Sequence, residues 1–414
     1  MALEKRIGYA CTPISIPYRT SKSFMLKNFN DEIFNDCVKN NIKNLYHILS
    51  WNVDNRIQMF RISSDIIPFG SHPVNQIKWW ELWKEELLEC GEFVKKQRIR
   101  VSMHPGQYTI LNSPTEQVVI NSIADLEYHC RFLDSMEVDY TNKIVLHVGG
   151  VYGNKEDAMN KFIHNFDRLS DSLKRRLVIE NDDKSYTIEE VLYICDKIQV
   201  PAVFDNLHHE LNPCSLSQKE ILGAVTSTWK AEDGPAKFHY SEQDMTKKGG
   251  SHSKSVDTRK FLEYYDSIKD ISADIMMEVK DKDLSAIKCI LSIDDQIPVS
   301  ARTNQWAKYK YLIMEKNYSY YKKCSQMINS NLPMKDIYIY MEECLKSPFD
   351  EGSFRNTVEH VYGYVKEKVT KKEKENFREL LENPKDNQKK IKKYLQKLCI
   401  KYDIDYMNQS YYFL

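Results

Sequence analysis

Five of the eleven histidines lie at or just past the ends of predicted β-strands, the last of them in a glycine-rich loop: His104, His147, His208, His239 and His252. Three carboxylates occupy the same kind of position: Glu180, Asp205 and Glu278. A single histidine at a strand end is more often structural than a ligand, but eight metal-binding side chains in equivalent positions indicate one shared site. Imidazole and carboxylate ligands without matched cysteines favour Zn²⁺ or Mn²⁺.

Eight ligands exceed the need of one ion, so we expect two or three ions bridged by carboxylates. Closely spaced divalent ions suit the hydrolysis of a phosphodiester, because one activates a water and another stabilises charge on the leaving oxygen. Such a site needs no separate serine, cysteine or histidine nucleophile. Phosphodiester hydrolysis is therefore the leading chemistry.

Lys237 lies two residues before His239 and therefore faces the same way on a strand. Nearby cations and burial would both lower its pKa and favour the neutral amine. A neutral lysine can react with carbon dioxide and become an anionic carbamate, which is a further metal ligand. The alternative is that Lys237 stays cationic and contacts a phosphate. The residues alone do not decide between the carbamate and the cation.

Eight predicted strands alternate with stretches of helical periodicity, and six successive strands end in the candidate ligands. Alternating strands and helices indicate parallel pairing through right-handed crossovers. A closed (β/α)8 TIM barrel brings all carboxyl ends of its strands to one rim. An open doubly wound sheet is the alternative, but it would not easily bring six successive strand ends together.

A boundary is predicted near Gln296–Ser300, which separates a barrel domain at 1–296 from a C-terminal domain at 301–414. The second domain is expected to be mostly helical, with helices over about 306–327, 335–346, 352–369, 371–381 and 387–401. It holds 14 of the 26 tyrosines, and its 22 Lys and Arg against 15 Asp and Glu give a net charge of +7. Residues 1–300 carry −7, since the whole chain is neutral. A basic domain favours an anionic partner, although a solvated helical surface is the plainer interpretation.

The composition is that of a soluble globular protein, with 42% hydrophobic and 29% charged residues. Ten cysteines without regular spacing indicate reduced thiols. No signal peptide fits before the first strand at residue 7, and no apolar run is long enough to cross a bilayer. We therefore expect a cytoplasmic protein, without membrane contact, that acts as a monomer.

Seven ordered motifs between residue 5 and about 290 resemble those of the UV damage endonucleases: Gly8-Tyr9, Arg61-Ile-Ser-Ser-Asp65 with Ile67-Pro-Phe-Gly-Ser-His72-Pro, Met103-His-Pro-Gly-Gln-Tyr108, Leu146-His-Val-Gly-Gly150, Val178-Ile-Glu-Asn-Asp182, Phe204-Asp-Asn-Leu-His208, and Lys237-Phe-His239 with Gly-Ser-His252. The resemblance implies a TIM barrel related to the endonuclease IV type of abasic-site endonuclease. It also implies a manganese-dependent enzyme that cuts double-stranded DNA 5′ to cyclobutane dimers and (6-4) photoproducts, leaving a 3′-hydroxyl and a 5′-phosphate.

The resemblance also assigns roles to residues. The metal ligands of the family fall on the eight residues His104, His147, Glu180, Asp205, His208, His239, His252 and Glu278. Its modified, carboxylated lysine falls on Lys237, and we predict Glu180, Lys237 and Glu278 as the catalytic residues. The residues that probe a lesion fall on Tyr9, Gln107 and Tyr108. Phosphate contacts are expected from cations of the rim loops, namely Arg19, Lys22, Arg61, Lys184, Lys247, Lys248 and Lys254.

Other functions are compatible with the sequence. One keeps the nuclease but changes its substrate to abasic sites, and another is a sugar isomerase or epimerase on a related metal barrel. A DNA-binding protein without activity is disfavoured because no ligand position is lost. The C-terminal segment is similar in outline to a small bacterial helical domain of unknown function, and a helical cap on the barrel is an alternative to a DNA-holding role.

Overall fold

Eight parallel strands form the centre of the molecule. The computed structural model describes residues 5–414. The strands are β1 (Ile7–Ala10), β2 (Met59–Arg61), β3 (Arg100–Met103), β4 (Lys143–His147), β5 (Leu177–Glu180), β6 (Ala202–Asp205), β7 (Ala236–Tyr240) and β8 (Ala273–Met277). They pair in sequence order, and β1 also pairs with β8, so the sheet closes on itself. The predicted (β/α)8 barrel is therefore confirmed.

Eighteen α-helices follow or connect these strands within the described residues. Up to the last strand and just beyond it they are α1 (Asp31–Asp54), α2 (Trp79–Leu82), α3 (Lys84–Lys96), α4 (Glu116–Ser135), α5 (Lys155–Phe166), α6 (Asp171–Arg176), α7 (Ile188–Ile198), α8 (Asn206–Leu211), α9 (Gln218–Ser227), α10 (Thr258–Ser267) and α11 (Asp283–Ile293). The remainder are α12 (Val299–Met314), α13 (Tyr318–Ile328), α14 (Met334–Leu345), α15 (Glu351–Gly363), α16 (Lys371–Glu382), α17 (Pro384–Lys401) and α18 (Asp405–Asn408).

Side-chain caps decide where several helices begin. The side chain of Asn30 accepts a hydrogen bond from the amide of Ile33, so α1 begins at Asp31. The apolar periodicity instead predicts a start near Phe24. The predicted single helix over 306–327 is wrong, because Asn317 caps a new helix, α13, by accepting from the amide of Ser319. Caps with short polar side chains end one helix and begin another without disturbing the apolar periodicity.

The chain divides into two compact units, each with its own core. The first contains the barrel, up to Val256 and again over Tyr264–Ile287, and the second contains Asp257–Glu263 and Lys288–Leu414. At the amino ends of the barrel strands lie buried ion pairs: Arg100 Nη1 is 2.9 Å from Asp274 Oδ2, and Lys143 Nζ is 2.5 Å from Asp233 Oδ1. These pairs satisfy buried charges at the amino end of the barrel.

The second unit is a helical bundle around an aromatic and aliphatic core. The core residues are Tyr311, Met314, Phe354, Val358, Val361, Val365, Phe377, Leu381, Ile391, Leu395, Leu398, Cys399, Met407 and Tyr412. Burial of this apolar surface gives the unit its own source of stability. None of the helices in the described part of the chain combines the length and the apolar character that crossing a bilayer demands.

Candidate metal centre

Parallel register brings the predicted ligands side by side at the carboxyl ends of the strands. His147 at the end of β4 is the pairing partner of Glu180 at the end of β5. Asp205 at the end of β6 is likewise the partner of His239 in β7. Since a closed barrel directs all of its strand ends to one rim, these residues and those of β3 and β8 meet above the barrel interior.

Glu180 lies at the centre of this arrangement and is only 1% exposed. Its Oε2 is 3.1 Å from His104 Nε2 and 3.5 Å from His147 Nε2. Its Oε1 is 2.6 Å from His239 Nδ1 and 3.7 Å from His208 Nδ1. Each oxygen of one carboxylate therefore faces two imidazoles, which is the position of a bridging ligand.

Three groups of potential ligands overlap at Glu180. The groups are His104, His147 and Glu180; Glu180, His239 and Glu278; and Glu180, Asp205 and His208. Within each group the candidate ligand atoms lie within 4.8 Å of one another. The structure thus brings together seven of the eight predicted ligands. His252 is outside these groups among the described residues, but it is partly buried and in electrostatic contact with Glu278 and His208.

The Asp-x-x-His spacing of Asp205 and His208 has a local structural cause. Asp205 is the N-cap of the short helix α8, and its Oδ1 accepts a hydrogen bond of 2.8 Å from the amide of His208. The cap therefore fixes the first turn of the helix and places the imidazole beside the carboxylate. The other oxygen, Oδ2, is buried and has no hydrogen-bond partner among the described residues.

Backbone carbonyls orient two of the imidazoles. His208 Nδ1 is 2.9 Å from the carbonyl oxygen of Asn181, and His104 Nδ1 is 3.1 Å from that of Pro105. A carbonyl oxygen only accepts, so Nδ1 carries the hydrogen in both rings and Nε2 is the atom left to bind a metal. Asn181 also exchanges side-chain hydrogen bonds with the backbone of Asp205, which ties β5 to β6. Sequence reasoning missed this supporting role, although Asn181 directly follows Glu180.

Burial and mutual charge shift the pKa values of the cluster. Burial lowers the pKa of His104 to about 4, so this ring is neutral near pH 7. Burial alone would raise the pKa of Glu180, but His239 and His147 outweigh it and hold that pKa well below its usual range. Burial also lowers the pKa of His208, yet Asp205 and Glu180 reverse the effect and raise it. The carboxylates thus stabilise positive charge at this position.

The donor set fits divalent cations. It combines imidazole nitrogens with carboxylate oxygens, the ligands expected for Zn²⁺ or Mn²⁺. Two of its polar atoms, Asp205 Oδ2 and His147 Nδ1, are buried without a hydrogen-bond partner among the described residues, and so is Lys237 Nζ, which is not part of the set. Buried polar atoms without a partner are costly in a protein, and a bound ion or ligand accounts for them.

Arg61 differs from its expected role as a phosphate contact of the rim. Its side chain is 9% exposed, donates to Glu278 and lies 3.2 Å from His239 Nε2. An arginine in this position fixes the carboxylate of Glu278, a candidate ligand, and is not exposed on the rim as a phosphate contact would be. The other six predicted rim cations, Arg19, Lys22, Lys184, Lys247, Lys248 and Lys254, are exposed.

Lys237 is buried in β7, below the ligand cluster, with 1% of its surface exposed. Burial, followed by the charges of Arg61 and Arg100, holds its pKa well below the usual range for lysine. Its Nζ has no hydrogen-bond partner in the described part of the chain. The side chain is therefore a buried amine that favours the neutral form.

The structure separates the three predicted probing residues. Gln107 and Tyr108 are exposed in the turn after β3, and Tyr108 is 69% exposed. Tyr9 is 0% exposed in β1, where its hydroxyl donates a hydrogen bond of 2.9 Å to Asn52 Oδ1 and its ring packs against Phe60. In this conformation the Tyr9 side chain contacts helix α1 and does not face a ligand in solvent.

Comparisons with known proteins agree with this geometry. The family described as UV-endonuclease UvdE matches residues 5–310, and a family of unknown function, DUF1722, matches residues 310–414. The UV DNA damage endonuclease of Clostridium perfringens is 46% identical, covering 98% of this chain and 99% of that protein. The enzyme of the same name from Bacillus cereus strain Q1 is 34% identical, covering 72% of this chain and 95% of its own.

A solved structure gives the same result for the barrel. The crystal structure of SacUVDE is 38% identical and superposes with a TM-score of 0.66, covering 69% of this chain and 97% of that chain. The identity and coverage of these matches exceed what a shared barrel alone produces. The chain is therefore a member of the UV-endonuclease UvdE family of nucleases.

Proposed function

We propose that this chain is a metal-dependent endonuclease that nicks double-stranded DNA 5′ to UV photoproducts, leaving a 3′-hydroxyl and a 5′-phosphate. The photoproducts are cyclobutane dimers and (6-4) photoproducts. The observation that carries the proposal is the convergence of six further candidate ligands on Glu180 at the carboxyl end of the barrel. The names of the relatives at 46% and 34% identity support the choice of substrate.

Two or three divalent ions, Mn²⁺ with Zn²⁺ as the alternative, would be held by the three groups around Glu180. Such ions supply water activation and stabilisation of negative charge in phosphodiester hydrolysis. Glu180 contributes by bridging the groups, and Glu278 is kept in position by Arg61. His252, partly buried and in electrostatic contact with Glu278, completes the proposed ligand set from its loop.

We assign Lys237 as a carboxylated lysine. Its nitrogen forms a bond to the carbon of carbon dioxide, one carbon–oxygen π bond becomes the carboxylate charge, and the nitrogen releases one proton to solvent. The support is geometric, because Nζ is buried beneath the ligands without a hydrogen-bond partner among the described residues. The same burial argues against a cationic Lys237 that reaches a phosphate.

Labelled bicarbonate tests this assignment. Protein equilibrated with isotope-labelled bicarbonate should show a carbamate signal by NMR that is absent from Lys237→Ala. A conservative Lys237→Arg variant should also lack the signal and should lose activity. A wild-type spectrum without the signal at high bicarbonate would exclude the modification.

We propose that Gln107 and Tyr108, both exposed in the turn after β3, read the lesion. Stacking of an aromatic ring on a base contributes roughly 1–3 kcal/mol, and extrusion of a base costs a few kcal/mol, less where damage has weakened its pairing. The two energies are similar, so an exposed Tyr108 can offset the cost at a lesion and not in intact DNA. Tyr9, which the family resemblance also assigns to probing, is buried against α1, so the same proposal requires it to become exposed when DNA binds.

Nicking of supercoiled plasmid tests the proposal. Three plasmids should be compared, namely UV-irradiated, abasic and undamaged, with Mn²⁺ or with a chelator. We expect nicking of the irradiated plasmid alone or foremost, and none with the chelator. End-labelled oligonucleotides with one dimer then locate the cut and identify both ends.

A matched pair of variants controls this experiment. Glu180→Gln removes one charge at the bridging position and should abolish nicking while DNA binding persists. Glu92→Gln makes the same change on the exposed surface of α3 and should leave nicking unchanged. Cleavage of the abasic plasmid alone would replace the proposal by an abasic-site endonuclease, and sugar turnover without DNA cleavage would replace it by an isomerase.

A further inference from the structure

The basic charge of the C-terminal segment is concentrated in one helix. Residues 301–414 have a net charge of +7, and α17 alone holds seven lysines and one acid, Asp386, a net of +6. The rest of the segment is therefore nearly neutral, at +1. Charge spread evenly over a solvated surface would not be distributed in this way.

The lysines of α17 lie on its exposed face. Lys385, Lys389, Lys393 and Lys397 follow one another at four-residue spacing, and Lys390 is exposed beside them. The opposite face is buried in the core of the second unit through the apolar residues Ile391, Leu395, Leu398 and Cys399. This spacing places the charges along one side of the helix over about 18 Å.

These five lysines have no internal role in the described structure. Among the residues it describes, none of the five forms an ion pair or donates a side-chain hydrogen bond. The other two lysines of α17 differ, since Lys392 Nζ is 2.8 Å from Glu315 and Lys401 Nζ is 2.7 Å from Glu373. The helix thus separates lysines that stabilise the unit from lysines that remain available to a partner.

We propose that this face of α17, defined by Lys385, Lys389, Lys390, Lys393 and Lys397, binds the phosphate backbone of duplex DNA without sequence preference. The choice of partner rests on the proposed function. A length of about 18 Å along B-DNA carries roughly ten phosphates, about half of them on the side that faces a protein. Five lysines over the same length match that charge density.

A lipid surface is a poorer partner for this helix. A helix that binds a bilayer presents its apolar face to the lipid. In α17 the apolar face is already buried in the helical unit. Among the aliphatic side chains of this helix, Ile400 alone is largely exposed, at 59%. The exposed face can therefore bind an anionic surface by charge alone.

The face adds affinity and is not part of the reaction. The Bacillus cereus relative is matched over 95% of its own length by only 72% of this chain, so it has no room for a counterpart of the whole second unit. Residues 1–300 carry a net charge of −7, which gives the barrel no overall attraction to DNA. The lysines of α17 would supply that attraction.

The test is binding of an undamaged duplex by the full-length protein, measured by fluorescence anisotropy over a series of salt concentrations without divalent metal. The variant replaces three lysines, K389Q, K393Q and K397Q. We expect affinity at about 0.1 M salt to fall at least tenfold, and the slope of log affinity against log salt to decrease by about 2–3. On UV-irradiated DNA, KM should rise while kcat is unchanged.

Two control proteins decide whether the position or the charge matters. K84Q, K161Q and K219Q remove three exposed lysines from barrel helices α3, α5 and α9 and should change affinity less than about twofold. K389R, K393R and K397R keep the charge on α17 and should retain binding. Equal losses of duplex affinity in both glutamine variants, or no loss in the α17 variant, would overturn the proposal. Binding to anionic vesicles and to an acidic peptide is measured in parallel, and a loss of affinity for one of these without a loss for duplex would overturn it as well.

The same experiments separate this inference from the proposed function. If the wild type does not nick irradiated DNA but the α17 variant still binds duplex less well, the proposed function fails and the inference stands. If the wild type nicks irradiated DNA and the α17 variant behaves as the wild type does, the inference alone fails.

Discussion

Glu180 is the side chain on which the arrangement of the centre depends. Its two oxygens lie between 2.6 and 3.7 Å from nitrogens of four histidines, and it belongs to all three groups of potential ligands. The surrounding side chains are held in turn by Arg61, Asn181 and backbone carbonyls. The geometry of the centre is therefore set as much by these partners as by the ligands themselves.

Replacing Arg61 tests this dependence. Arg61→Gln keeps a hydrogen-bond donor but removes the charge beside Glu278, so metal affinity and nicking should each fall by about 10–100-fold. Binding of undamaged duplex should persist, since the side chain is buried. Metal titration and nicking kinetics measure the two effects. Arg61→Lys should lose less, and a selective loss of DNA binding would instead support a phosphate contact.

Tyr108 should control discrimination between damaged and intact DNA. Tyr108→Ala removes the stacking ring, and the preference for a dimer-containing duplex should fall by roughly 5–150-fold, equivalent to 1–3 kcal/mol. Tyr108→Phe keeps the ring and should retain the preference. Competition between dimer-containing and intact duplexes measures it. An unchanged preference in Tyr108→Ala would leave recognition to other residues.

The sequence could predict which residues converge, but it could not predict all side-chain directions. Ligands at strand ends meet because a closed barrel brings those ends together, whatever the detailed packing. Tyr9 and Arg61 lie within strands whose residues are all buried, so no alternation of polar and apolar residues indicates which way they face. Their burial depends on contacts with Asn52, Phe60 and Glu278, which come from distant positions in the chain.

At the scale of elements, close packing of strands fixes one residue type in β1. A Cβ atom on Gly8 would lie 1.8 Å from the carbonyl oxygen of Met59 in β2, the strand that pairs with it. Because that neighbour is backbone in a closed barrel, it cannot move without disturbing the sheet. Gly8 is therefore required by strand packing next to the site, independently of any ligand.

A pair of glycine substitutions checks this interpretation. Gly8→Ala should lower the free energy of unfolding by about 1–3 kcal/mol or more. Gly223→Ala, in the exposed interior of α9 with nothing within 4 Å of the added Cβ, should raise it by about 0.4–1 kcal/mol. Denaturant unfolding measures both. A stable Gly8→Ala variant would show that β1 and β2 can separate locally.

Element boundaries were less predictable than element types. All eight strands were expected from their apolar runs, whereas the starts of α1 and α13 depend on Asn30 and Asn317. Apolar periodicity continues across such positions, so a pattern of buried residues does not reveal a cap. The prediction of one long helix over 306–327 is wrong for this reason.

At the scale of the molecule, the two units have different chemistry. The barrel unit carries the ligand cluster, and the helical unit has a separate apolar core and the lysines of α17. The domain limits 1–296 and 301–414 stay a prediction. By contacts alone, the first compact unit ends at Ile287 and the second includes the start of α10. A cytoplasmic location and a monomeric state also stay predictions.

Metal binding should stabilise the folded protein. Protein stripped with a chelator and then given Mn²⁺ at about 100 times its dissociation constant should gain about 2.7 kcal/mol, which corresponds to a rise in Tm of roughly 3–5 °C for a unit of this size. Calorimetry measures the rise. Glu180→Gln should show little of it and Glu92→Gln all of it, whereas an equal rise in both variants would place the bound metal elsewhere.

One carboxylate shared by three groups has a consequence for loading. Each of the proposed cations would neutralise part of the Glu180 charge that attracts the next one, so successive affinities should decrease. Stepwise occupancy then follows the supply of free metal, and a sub-stoichiometric protein is expected when that supply is low. Activity would require the last and most weakly bound ion. When the ion is scarce, the protein would therefore lose activity while it is still folded.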